Sequence, residues 1–373
     1  MADAKKGLEG AVAAQTKVSQ IDGKEGKLNY VGYEIQDLAE HSTFEEVVYL
    51  LHNFELPGSD ALRDIQRTLA KERSLDDFIV GLIRSAANEM HPMSMLRTAV
   101  SAAQAHDPDG RDYSDEANLR KSYRLIAQTP QMVATDHRIR QGLEILPPRE
   151  DLSLAGNFLY SLLGEEPDPG LAEDLDTIFI LYADHTLNAS TFAGRVAAAT
   201  LADIHAAVTA AIATLQGPLH GGAIEEARLM LDEIGSPDRA EAYVHDKLAK
   251  KEKIMGFGHR VYKTWDPRAQ VLRKIAERVT AEHGVGHLFE IAEKVQETVV
   301  SEKGLYPNVD FYTGSIYTAM GIPEDLFTCM FAIPRMAGWT AHIREQYSDN
   351  RLIRPSSEYI GPAPRKWAPA EQR

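Results

Sequence analysis

The chain has 373 residues, with 40 Lys+Arg against 55 Asp+Glu, a net charge of −15, 44% hydrophobic residues and 25% charged residues. That balance describes a folded chain with a sizeable core, long enough for about two or three domains, and excludes disordered, collagen-like and disulfide-stapled classes. The negative excess also excludes nucleic acid and anionic membrane surfaces as main partners, because both demand a dominant positive field; an anionic ligand must find a local basic patch.

In chain order, Met1 to Glu9 contains acids and no apolar run, unlike a signal or transit peptide, which predicts a cytoplasmic location. Thr16 to Ile21 and Leu28 to Val31 flank the turn dipeptide Asp22-Gly23 and predict a small hairpin. Helix signals then dominate. Ser42-Thr-Phe-Glu45 and Ser74-Leu-Asp-Asp77 read as capping boxes, and Pro92 as a first-turn proline. Helical periodicity marks about 114–128, 152–163, 170–190, 195–215, 222–234, 239–250, 268–282, 286–301 and 324–345. The longest uncharged stretch, Ile204 to Ile224, is interrupted by histidines, Gly and Pro, and reads as a buried helix running into a loop. Connections are short and rich in Gly and Pro. The lone Cys329 excludes an intrachain disulfide and reads as a small buried hydrophobe in a reducing compartment. The fold class is all-α, which suits an enzyme or a helical scaffold equally.

Three loops carry unusual composition: Gly217-Pro-Leu-His-Gly-Gly222, Met255-Gly-Phe-Gly-His-Arg-Val-Tyr-Lys263 and Pro307-Asn-Val-Asp-Phe-Tyr-Thr-Gly314. Two of them wrap a histidine in glycine, which lets a ligand approach the main chain closely. Between Lys250 and Lys274 stand eight cations and only two anions, a basic patch suited to phosphate or carboxylate. Asp310 lies beside Phe311 and Tyr312, where exclusion of water would raise its proton affinity; an ordinary helix N-cap explains the residue equally well. His185 reads as a core histidine near the end of an apolar helix. No His-Glu-x-x-His, cysteine pair or dense His/Asp cluster supports a metal site, and no P-loop or Gly-x-Gly-x-x-Gly opens a nucleotide fold.

Taken together, the ordered segments Ile21-Asp-Gly23, Tyr30-Val-Gly-Tyr33, His91-Pro-Met93, Ala183-Asp-His-Thr-Leu-Asn-Ala-Ser-Thr-Phe192, Gly217 to Ala223, Gly256 to Lys263, Asn308 to Tyr312, Pro334-Arg-Met-Ala-Gly-Trp339 and Arg351-Leu-Ile-Arg-Pro355 resemble the citrate synthase family over nearly the whole chain. The resemblance implies a large helical domain from 1–222 with 324–373, a small helical domain from 223–323, and an obligate homodimer without the N-terminal region of the NADH-regulated enzymes. It implies condensation of acetyl-CoA with oxaloacetate and hydrolysis of citryl-CoA, with no metal or other cofactor. By position, Asp310 resembles the base that deprotonates the acetyl methyl, His220 the donor to the enolate oxygen, and His259 the acid at the oxaloacetate carbonyl. His185, Arg268, Arg335 and, from the other subunit, Arg354 resemble the oxaloacetate contacts. Met255, Gly256, Phe257, Gly258, Arg260, Lys263, Lys303 and Asn308 fall where the family binds coenzyme A. A 2-methylcitrate synthase using propionyl-CoA is the neighbouring alternative, since one methylene in a pocket is worth only about 1–3 kcal/mol. A catalytically silent helical interaction protein and a metal-dependent hydrolase are alternatives of other classes.

Overall fold

The computed structural model describes residues 6–8 and 10–372. Residues 1–5, from which most of the targeting expectation was drawn, lie outside the described residues, as do Glu9 and Arg373. Strands β1 (Ser19–Asp22) and β2 (Lys27–Tyr30) pair antiparallel, Ser19 opposite Tyr30 and Asp22 opposite Lys27. The Asp22 carboxylate closes the turn by accepting the Lys24 and Glu25 amides at 2.9 and 3.0 Å. A two-residue strand β3 (Tyr33–Glu34) joins the edge, too short for any alternation to announce it.

Sixteen α-helices follow among the described residues. They are α1 (Ile35–His41), α2 (Phe44–Asn53), α3 (Ser59–Lys71), α4 (Asp77–Ala86), α5 (Pro92–Ala103), α6 (Asp115–Arg140), α7 (Leu154–Leu163) and α8 (Pro169–Tyr182). The series continues with α9 (Ala189–Ala198), α10 (Ile204–Leu215), α11 (Ala223–Ile234), α12 (Pro237–Ala249), α13 (Pro267–Glu282), α14 (Gly286–Lys303), α15 (Asp310–Ala319) and α16 (Phe327–Ser348). None is long and apolar enough to cross a membrane.

Several boundaries differ from expectation. The α2 capping box is Thr43 with Glu46, one residue later than read, and the α4 cap is Asp76, whose carboxylate accepts the Ile79 amide at 2.8 Å. Helix α6 runs through Pro130 to Arg140; from Leu125 to Asp136 nearly every side chain is buried, and packing outweighs the lost proline donor. The span expected over 170–190 stops at Tyr182, and 195–215 is divided between α9 and α10. His185 therefore stands on an irregular turn, not at a helix end.

Helix α16 threads the centre, buried on every side from Phe327 to Ile343, Cys329 included. It packs against α2, α6, α8, α9 and α10. Gly338 lets the 183–184 turn lie against it, since a Cβ there would stand 2.4 Å from the Ala183 carbonyl oxygen.

Candidate active site

The turn after α8 is held by the hairpin. Tyr30 Oη accepts the Asp184 amide at 3.0 Å and lies 2.9 Å from the Asp184 carbonyl, capturing main-chain groups the helix no longer pairs. Thr186 adopts a φ of 49°, and Asn188 caps α9 by accepting the Ser190 and Thr191 amides. His185 projects from this turn.

Between α10 and α11, the His220 amide donates to the Gly217 carbonyl at 2.9 Å and the Gly221 amide to Leu215 at 2.9 Å. The ring's Nε2 lies 2.9 Å from Ser190 Oγ, which accepts from Trp339 Nε1 at 3.1 Å and lies 2.7 Å from Asn188 Oδ1. That leaves Nδ1 as the ring nitrogen free to meet a ligand.

The glycine loop before α13 and the loop before α15 are joined by main-chain bonds: the Gly258 amide to Tyr306 at 3.0 Å and the Asn308 amide to Gly256 at 2.9 Å. Gly256, at φ 80°, presses against Phe311, where a Cβ would meet the ring at 2.7 Å. This pairing brings His259 and Asp310 to one place. His259 Nδ1 accepts two amides, Val261 at 2.9 Å and Tyr262 at 3.1 Å. The neutral ring must therefore carry its proton on Nε2.

Asp310 is the first residue of α15, with Val309 at the cap position, so it is not the N-cap. A helix N-terminus favours a carboxylate, yet burial outweighs it and, against the pull of Arg268, raises Asp310 to about 7. Burial lowers His220 and His259 to about 4 each, helped at His220 by Arg335 and at His259 by Arg268. His185 falls well below its ordinary value for the same reason, with Arg268 and His259 adding to it. At neutral pH these imidazoles are uncharged, and each can offer a single N–H.

Two buried arginines supply the positive field. Arg268 is paired with Asp266, and Arg335 on α16 donates from Nε to the Tyr182 carbonyl at 2.7 Å while lying 4.7 Å over the Phe331 ring. Burial lowers Arg335 only to about 10, so it remains a cation.

One cavity of about 810 Å³ unites His185, His220, His259, Arg268, Arg335 and Asp310 with Gly258, Arg260 and Asn308. Several buried polar atoms there find no protein partner: His185 Nε2, Asp310 Oδ1 and Arg335 Nη2. Buried groups of this kind await a ligand. Lys263 lines a smaller neighbouring cavity of about 170 Å³ that shares Gly258 and His259. Met255, Gly256 and Phe257 shape the loop without lining the main cavity, Lys303 is exposed at the end of α14, and Arg354 is exposed on the extended C-terminal segment.

The sequence reading did not single out Ser190, Trp339 or Tyr262, nor the contribution of Gly7, Leu8, Gly10, Ala11 and Ala13 to the cavity wall. For Ser190 the available signal was the Asn188 cap two residues earlier; the rest arises from distant contacts.

The sequence model of the family "Citrate synthase, C-terminal domain" matches residues 7–356. Citrate synthase 2 of Bacillus subtilis is 50% identical over 371 residues, 99% of each chain. A crystal structure of citrate synthase from Pyrobaculum aerophilum superposes with a TM-score of 0.93 at 42% identity, covering 99% of this chain and 95% of that one. The Thermoplasma acidophilum citrate synthase, solved as a ternary complex with carboxymethyl coenzyme A and oxaloacetate, gives a TM-score of 0.93 at 36% identity and 99% coverage of both chains. A 2-methylcitrate synthase of Corynebacterium glutamicum is more distant, at 40% identity over the full chain. The chain belongs to the citrate synthase family of all-α acyltransferases.

Proposed function

We propose that this chain condenses acetyl-CoA with oxaloacetate and hydrolyses the resulting citryl-CoA to citrate and CoA. The observation that carries the reading is the meeting of Asp310, His220 and His259 with Arg268 and Arg335 in a single cavity. Asp310, with a proton affinity raised to about 7, removes a methyl proton from the thioester. Neutral His220 donates from Nδ1 to the oxygen where charge gathers, which requires the Ser190 proton, directed at Asn188 Oδ1 in this structure, to turn to Nε2 when substrate binds while Ser190 goes on accepting from Trp339. The enol carbon attacks the oxaloacetate carbonyl carbon, and His259 Nε2–H delivers the proton that the new alkoxide takes up. The proton held by Asp310 restores His259, and water then cleaves the citryl thioester, its oxygen completing the citrate carboxylate, one of its protons leaving with CoA as the thiol and the other passing to solvent.

Oxaloacetate carries two carboxylates, and the planar guanidiniums of Arg268 and Arg335 match them in a way lysine does not. His185 is a further contact, and Arg354 from the partner subunit of a homodimer completes the clamp. The basic rim of Arg260, Lys263 and the 255–258 backbone, with Asn308 and Lys303, receives coenzyme A.

We assign residues 1–222 with 324–373 to a large domain and 223–323 to a small one. His220 then belongs to one and His259 and Asp310 to the other, so domain closure completes the catalytic set. No group of three or more His, Cys, Asp or Glu among the described residues is arranged to hold a metal ion, and the proposed steps use none.

The test is oxaloacetate-dependent release of CoA thiol, run in parallel with acetyl-CoA and propionyl-CoA. Faster release from acetyl-CoA supports the reading; preference for propionyl-CoA identifies a 2-methylcitrate synthase; no release from either refutes the condensation.

A further inference from the structure

The N-terminal hairpin touches two of the three histidine-bearing segments of the cavity, those of His185 and His259. At its base, Ser19 Oγ donates to Asp184 Oδ2 and accepts the Thr186 amide at 3.1 Å, gripping the residues on either side of His185. At its tip, the Gly23 carbonyl accepts the Lys263 amide at 2.8 Å. A Cβ on Gly23 would stand 2.3 Å from the Val261 carbonyl oxygen, and one on Gly26 would stand 2.8 Å from that of Trp265. The tip therefore lies backbone on backbone against residues 261–265. Leu28 and Tyr30, fully buried on β2, anchor the hairpin in the core, which a strand pair this short requires.

The 261–263 turn supplies the two amides that reach His259 Nδ1. Both must be aimed at one ring nitrogen to keep the proton on Nε2. A turn displaced far enough to turn either amide away from the ring weakens this preference, and the Nδ1–H form, which presents no proton at Nε2, becomes accessible.

We propose that the hairpin is a positioning element for the reaction: Gly23, through the 261–263 turn, sets the tautomer and aim of His259, while Ser19 sets the turn that carries His185. The inference rests on the proposed roles of these histidines. Gly23 is outside the left-handed φ region, so an alanine there probes the contact with Val261 and not backbone strain.

The test is Gly23→Ala beside Gly81→Ala, a control in α4 with nothing within 4 Å of the added methyl. A catalytic group misplaced by about 1 Å loses about 10²-fold in rate, so Gly23→Ala is expected to lower kcat by about 10- to 100-fold. Oxaloacetate affinity stays near that of the control, and the thermal midpoint falls because main chain must shift to admit the methyl, so kcat is read well below that midpoint. In nitrogen NMR of the imidazoles, assigned by loss of the His259 signals in His259→Gln, the parent shows the Nε2–H form and Gly23→Ala a mixture. Turnover within twofold of the parent, or lower turnover with an unchanged His259 tautomer, overturns the proposal.

Two further measurements do not depend on Gly23→Ala folding. Ser19→Ala adds no bulk, and is expected to raise KM for oxaloacetate several-fold more than it lowers kcat; an unchanged KM contradicts the role of the base. In the parent protein the Lys263 amide should exchange with solvent as slowly as the hairpin amides, and fast exchange contradicts the role of the tip. The tautomer is read without turnover, so an absence of condensation activity in the parent would be seen separately.

Discussion

Asp266 and Arg268 form a buried, two-point ion pair: Arg268 Nε and Nη2 donate to the two carboxylate oxygens of Asp266 at 3.0 and 2.8 Å. Asp266 Oδ1 also accepts the Arg268 amide at 3.0 Å as the N-cap of α13. One carboxylate thus fixes both the helix start and the guanidinium that faces the cavity. Removing it leaves a buried cation unpaired, which costs about 3–5 kcal/mol, more than the loss of a cap alone. Asp266→Ala is expected to lower the unfolding free energy by that amount in urea titration. A loss below about 1 kcal/mol, the range of exposed pairs, would mean that the pair is solvated.

Asp310 links stability and pH in a defined direction. Its folded carboxyl holds its proton up to about 7, above its ordinary value, because burial disfavours the anion. The native state therefore carries an extra proton between the two values. The stability contributed by this group is complete below about pH 4 and lost as pH rises through 7, a swing of about 4 kcal/mol for a shift of about 3 units. Asp310→Asn does not titrate, so relative to the parent it gains stability from pH 4 to pH 8. Urea titrations at the two pH values measure this, and an equal difference at both would show that the carboxyl is not desolvated.

The same substitution removes the proposed base. Turnover is expected to fall by about 10²–10⁴, with oxaloacetate binding by calorimetry nearly intact, because the arginines remain. In the parent, the acid limb of kcat/KM for acetyl-CoA should bend near pH 7, since only the anion accepts a proton.

The site was legible in the sequence where chemistry is concentrated in short, glycine-flanked segments. His220, His259 and Asp310 stand in such loops, and the cavity unites them. The reading failed where long-range contacts decide. Asp310 read equally well as a cap, and only burial separates the two. His185 read as a helix residue because Ile178 to Tyr182 is apolar; the main chain past the helix end is taken up by Tyr30, about 150 residues earlier. The extension of α6 past Pro130 rests on burial from both sides, which local propensity does not encode. Trp339 reaches Ser190 across 149 residues, and nothing in either segment announces the pairing.

That pairing fixes how His220 presents its proton. The Asn188 oxygen accepts two amides and also the Ser190 hydroxyl at 2.7 Å, so for His220 to donate from Nδ1 the Ser190 proton must turn from Asn188 to His220 Nε2. Ser190→Ala removes this donor, and Trp339→Phe removes the N–H that biases it. Removing a direct donor to a developing oxyanion costs about 10²–10³ in kcat, and a donor one bond further away is expected to cost about 10-fold. Steady-state rates with both variants test this; kcat within twofold of the parent in both would remove the relay.

Closure makes a prediction about shape. His185 and Arg335 belong to the proposed large domain and Arg268 and His259 to the proposed small one, so an oxaloacetate held by the first pair would gain contacts to the second by drawing the two domains together. Small-angle scattering is expected to show a smaller radius of gyration on addition of oxaloacetate alone. An unchanged radius at saturating oxaloacetate would mean that the site is already complete without closure.

Arg354 tests whether the site is shared between subunits. It is exposed on an extended segment, while the cavity already holds Arg268 and Arg335 from its own chain. If the third cation comes from a partner, Arg354→Ala damages the neighbour's site and Asp310→Asn damages its own. Each variant alone is then expected to be nearly inactive. A heterodimer of the two concentrates both lesions in one site and leaves the other intact, so about half the parent activity should return. Tagged co-expression followed by tandem purification isolates that species. Verified heterodimers without restored activity would place Arg354 outside the partner's site, and full activity of Arg354→Ala alone would remove it from the clamp.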